Sequence, residues 1–143
     1  LAFVIDDNVF VRKVSKTWEI EAGAVTAQWS PFPGIEVTTT ITPTATGHCR
    51  HHEIDSSFDC EAYDCGFVVP NFAPGYAESV ENDTAEAHCD TLRCTVRGRG
   101  EAVVIGCDPN TSLYFPNVHL PAVKYHIPKG HTELDTEVFD EAD

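Results

Sequence analysis

The chain has 143 residues, too few for two independent cores, so a single domain spanning residues 1–143 is expected. Nine Lys and Arg against 23 Asp and Glu give a formal charge of −14 and a pI near 4.6, which disfavours nucleic acid and an anionic membrane surface as partners. With 42% hydrophobic residues the composition supports a packed core and excludes wholesale disorder.

The dominant hydrophobic period is two. Leu1, Phe3 and Ile5 alternate with Ala2 and Val4, Asp6-Asp7-Asn8 offers a turn, and Val9-Phe10-Val11 resumes, which reads as a hairpin. Trp18 and Ile20 alternate with Glu19 and Glu21, and after Ala22-Gly23 the residues Val25, Ala27 and Trp29 share a face. Beyond the stiff Ser30-Pro31-Phe32-Pro33-Gly34 segment, Ile35, Val37, Thr39 and Ile41 lie on one face and Glu36, Thr38, Thr40 and Thr42 on the other. That run of β-branched residues favours a strand strongly. Pro43 and Gly47 frame a turn into a strand from His48 to Ile54, and Phe67-Val68-Val69 stops at Pro70. Residues 71–90, rich in Pro, Gly, Asn, Asp and Glu, are expected to form a long surface loop. Leu92, Cys94 and Val96 alternate with Arg93, Thr95 and Arg97, and Gly98-Arg99-Gly100 is read as the turn of a hairpin leading into Val103-Val104-Ile105. The six acids between Glu133 and Asp143 read as a solvated acidic strand or tail, since the spaced oxygens and central Gly of a calcium loop are absent. No stretch carries a sustained helical pattern, so the expected fold is an all-β antiparallel β-sandwich with few or no helices.

No apolar run reaches the roughly 18–20 residues of a membrane-spanning helix. The chain contains no Met and begins at Leu1, and is read as a piece or processed part of a longer protein. The six cysteines, Cys49, Cys60, Cys65, Cys89, Cys94 and Cys107, suit three disulfides in an oxidising compartment better than zinc, because the close pairs 60/65 and 89/94 lack CxxC spacing. Sequons at Asn82 and Asn110 agree with a secreted, glycosylated, extracellular protein.

Three stretches carry a family resemblance: Trp29-Ser30-Pro31-Phe32-Pro33-Gly34-Ile35-Glu36-Val37-Thr38-Thr39; Gly47-His48-Cys49-Arg50-His51-His52-Glu53-Ile54 with Gly66-Phe67-Val68-Val69-Pro70; and Asp108-Pro109-Asn110-Thr111-Ser112-Leu113-Tyr114-Phe115-Pro116 with Leu120-Pro121. In this order they resemble the C-terminal domain of the domain-of-unknown-function 2264 family, over roughly residues 1–125. The resemblance implies a β-sandwich that follows an α/α toroid in proteins related to polysaccharide lyases and glycoside hydrolases. The toroid is absent from this chain and the six cysteines are not part of the family pattern. Catalysis by this chain alone is therefore not expected, and no catalytic residue is assigned.

The densest polar cluster is His48, Arg50, His51 and His52. Strand alternation puts His48, Arg50 and His52 on one face, where they could hydrogen-bond sugar hydroxyls or a uronic carboxylate, and the resemblance implies the same His-x-Arg-x-His pattern. As an ordinary strand face the three would simply be exposed polar side chains. His48 and His52 stand about 13 Å apart along a strand, too far to share one zinc, and no metal or cofactor is expected. Phe32, held between two prolines, is the expected exposed aromatic for sugar stacking, whereas Trp18 and Trp29 read as core. Carbohydrate, the absent toroid or a second copy of the chain are the expected partners. The competing reading is a disulfide-stapled, glycosylated structural subunit of an extracellular assembly.

Overall fold

The computed structural model describes residues 1–5, 8–10, 14–21, 23–106 and 119–140; for residues 8–10, 14–19 and 21 only the backbone is described. In chain order the strands are β1 (Ala2–Ile5), β2 (Asn8–Phe10), β3 (Val14–Glu21), β4 (Ala24–Phe32), β5 (Ile35–Pro43), β6 (Gly47–Ser56), β7 (Cys60–Cys65), β8 (Ala77–Glu81), β9 (Thr84–His88), β10 (Arg93–Gly98), β11 (Glu101–Ile105), β12 (Leu120–Ile127) and β13 (Gly130–Phe139). They form two antiparallel sheets, β11-β12-β7-β1-β2 and β3-β4-β5-β6-β13-β10-β9-β8. Among the described residues there is no helix, and the expected all-β sandwich is the fold observed.

Alternation explains the core. Phe3 and Ile5 of β1, Ala62 of β7 and Val123 and Ile127 of β12 meet Trp29, Ile35, Val37, Ile54, Val96 and Val138 of the larger sheet. Phe3 and Trp29 join the two layers edge-to-face, with ring centroids 6.0 Å apart.

Three expectations are corrected. The proposed loop at 71–90 contains the β8–β9 hairpin, whose cross-strand neighbour is β10. Strand β8 is exposed at every position and sits at the sheet edge, so it lacks the apolar alternation that marks a half-buried strand. Asn82, at the hairpin turn, is exposed with φ of 50°, a conformation Asn tolerates better than most residues; Asn110 lies outside the described residues. Gly98-Arg99-Gly100 is not a hairpin turn, because β10 pairs with β9 and β13 whereas β11 pairs with β12 in the other sheet. The segment carries the chain between layers, and a side chain at Gly98 would strike the Tyr125 hydroxyl and one at Gly100 the Lys124 carbonyl.

The third correction concerns the cysteines. Among the described residues Cys49, Cys60, Cys65, Cys89 and Cys94 are free thiols, and Cys107 lies outside them. Cys60 and Cys65 occupy the two ends of one strand, about 16 Å apart at the usual rise, against the roughly 4.4–6.8 Å between Cα atoms that a disulfide spans. Cys94 stands opposite Ala87, which leaves Cys89 on a cross-strand diagonal of about 7–8 Å, also too long. Burial pushes the Cys65 and Cys94 thiols up to about 11, while hydrogen bonds from Thr91 lower that of Cys89. The thiolate is the reactive form, so brief iodoacetamide treatment of the native protein should alkylate Cys89 well before Cys65 or Cys94, as read by peptide mapping. A protein in which none of the five labels until reductant is added would restore the disulfide framework.

Candidate functional site

His48, Arg50 and His52 do share a face of β6, and that face turns inward onto the smaller sheet. Asp64 of β7 is fully buried and receives them: Arg50 Nη1 donates to its Oδ1 at 2.8 Å, His52 Nε2 lies 2.9 Å from its Oδ2, and the Leu1 nitrogen is 3.5 Å away. Arg50 Nη1 also donates to the Cys65 carbonyl at 2.7 Å, and its Nε donates to His48 Nε2 at 3.0 Å. Behind His52, Nδ1 is 2.8 Å from Thr39 Oγ1, which accepts from Trp29 Nε1 at 3.0 Å. With Trp29 donating, the Thr39 proton is free to point at Nδ1 and the Nε2 proton at Asp64, so each polar atom in the row is satisfied.

The electrostatics follow the same geometry. Burial works to raise the Asp64 carboxyl, but the His52 hydrogen bond and the Arg50 guanidinium oppose it and hold the group well below the ordinary carboxylate range. His48 is lowered by burial and by the neighbouring guanidinium. The expected sugar-facing triad is therefore a clamp between the two sheets, with Arg50 Nε and Nη1 and His52 Nε2 committed to protein acceptors. Phe32 is also drawn in: it is half-buried, packs on the core and meets Phe58 edge-to-face at 5.9 Å. Trp29, only 1% exposed, is core as its spacing implied.

A different group of side chains is gathered at the surface by the segment after Val69. Val69 and His119 exchange backbone hydrogen bonds in both directions, 2.8 and 3.1 Å. Turns at Pro70–Ala73 and Ala73–Tyr76 then fold the chain back, and Gly75, at φ of +77°, passes so close to the Asp90 carboxylate that a Cβ there would collide with it. The result sets Tyr76 edge-on to the His119 ring at 5.6 Å. The Tyr76 hydroxyl donates to Glu78 Oε2, His119 Nδ1 lies 2.8 Å from the same oxygen, and Asn71 Nδ2 is 3.3 Å from His119 Nε2. Burial tends to raise Glu78, and the bonds from Tyr76 and His119 reverse this and lower it; burial and Glu78 together raise Tyr76. Phe72, 75% exposed, stands in the same turn segment.

This cluster offers a carboxylate, an amide, an imidazole and a phenol, and an exposed aromatic residue, Phe72, lies in the same segment of chain. Such a set can hydrogen-bond neighbouring hydroxyls while the ring covers the apolar face of a pyranose. Sequence reasoning placed residues 71–78 in a loop and did not single them out. The i, i+2 spacing of Tyr76 and Glu78 was visible, but His119 joins them only through the bridge to Val69.

Comparison with solved structures finds a heparinase III gene product with methylated lysines, at 12% identity and a TM-score of 0.60, and a candidate kojibiose phosphorylase from the human microbiome, at 9% and 0.55. The likeness is one of fold. It covers 99% of this chain in each case but only 23% and 22% of those proteins, so the chain spans less than a quarter of their length. No protein-family model and no curated protein matches the chain.

Proposed function

We propose that this chain is a carbohydrate-associated β-sandwich module of a longer, secreted polysaccharide-processing protein, and that it binds sugar without turning it over alone. The observation that carries the reading is the fold likeness, which takes in nearly the whole chain and under a quarter of two proteins named for carbohydrate chemistry. The resemblance to the domain-of-unknown-function 2264 family adds the expectation of an α/α toroid as the larger partner. The exposed turn of the β8–β9 hairpin makes Asn82 sterically open to glycosylation, which supports the extracellular part of the proposal.

The sugar contact in this reading is the patch of Asn71, Phe72, Tyr76, Glu78 and His119 rather than the inward-facing His48, Arg50 and His52. Titrating the native chain against neutral and uronic-acid oligosaccharides should find a binder. Phe72→Ala should then weaken it by about tenfold, the worth of one aromatic stacking contact. Absence of binding across the panel, or identical isotherms for native and Phe72→Ala proteins, would remove the patch and its ligand class together.

A further inference from the structure

We propose that the solvent face of the β6–β13 pair binds a zinc ion between His51, Glu53 and Glu133, with His131 beside it as a further donor. One donor atom from each of the first three residues already lies within 4.8 Å of the others. His51 Nε2 is 3.3 Å from Glu133 Oε1, close to the spacing of about 3.4 Å between neighbouring donors of a tetrahedral zinc with bonds near 2.0–2.1 Å.

The surrounding residues orient both imidazoles. His51 Nδ1 is 2.7 Å from Asp135 Oδ1, and His131 Nδ1 is 2.8 Å from Asp55 Oδ1. With each Nδ1 proton donated to a carboxylate, each Nε2 presents its lone pair, the arrangement in which histidines ligate metals. Both Nε2 atoms face Glu133 from opposite sides, His131 at 3.9 Å from Oε2. Register brings the carboxylates together: Glu53 and Glu133 are directly cross-strand, and the other neighbour of Glu53 is Thr38. In the metal-free protein His51 and His131 offset this like-charge pairing as imidazolium partners of Glu133, and zinc would take their place by displacing the Nε2 protons. Imidazole in the set selects zinc or a similar first-row ion over calcium, which takes oxygen donors.

The site is independent of the sugar proposal, and its test uses zinc alone. The full chain, dialysed against Zn²⁺ at neutral pH and assayed for bound metal, should retain about one ion per chain above the level of a His51→Ala control. Glu133→Gln should weaken retention at least about tenfold, and Asp135→Asn, which touches only the outer nitrogen of His51, by about 10- to 100-fold. His88→Ala, on β9, should leave it unchanged. Far-UV circular dichroism checks that each variant is folded, as substitutions at these exposed positions should permit. Equal retention by native, His51→Ala and Glu133→Gln proteins would overturn the proposal, and so would displacement of the zinc by equimolar calcium.

Discussion

Asp64→Ala is expected to destabilise the protein by about 3–5 kcal/mol, the cost of removing one partner from a buried ion pair. Asp64 is fully buried and Arg50 only 18% exposed, so the guanidinium would be left between the sheets without a counter-charge, and His52 Nε2 without an acceptor. The same group sets an acid dependence. Because its carboxyl is depressed in the folded state, it contributes stability in full above the unfolded value of about 3.9 and loses that contribution as pH falls below it. Urea titrations at neutral pH and near pH 3 should show a larger drop for the native chain than for Asp64→Asn. A loss below about 1 kcal/mol for Asp64→Ala, or parallel acid profiles, would mean that Arg50 finds another partner and that the clamp is not what joins the sheets.

Trp29→Ala should cost about 3–5 kcal/mol as well, for a different reason. Its ring is buried against Phe3 at the centre of the main core, and its removal leaves a cavity there together with the loss of the Nε1 donor to Thr39. Trp29→Phe keeps most of the volume and should lose chiefly the hydrogen bond, about 1 kcal/mol. Chemical denaturation followed by far-UV circular dichroism separates the two variants. Equal losses would show that the Thr39 bond, rather than the packing, dominates at this position.

The strands with clean alternation were readable because a half-buried strand writes its two faces into the sequence. Ile35, Val37 and Thr39 are buried and Glu36 is exposed, as the pattern on β5 implies. Edge strand β8 has no buried face to record, and it read as loop. The same physics explains the reversed expectation for His48, Arg50 and His52. Period two identifies which residues share a face but carries no sign, and three polar side chains in a row look like a solvent face unless their counter-charge is known. That counter-charge, Asp64, stands on β7, a strand that passed unrecognised in Cys60–Cys65 and belongs to the other sheet.

What the sequence determined by itself is therefore the local conformation: β structure nearly throughout, the faces of individual strands, and Trp29 as core. Which sheet each strand joined was decided by tertiary packing. Gly98 and Gly100 read equally well as a hairpin turn or as a passage between layers, and only their close approach to Tyr125 and Lys124 chooses the second. The two candidate sites arose in the same way. His119 meets Tyr76, and His131 meets Asp55, across 43 and 76 residues of chain. Pairings over such separations depend on strand order and register, which local sequence preference does not encode.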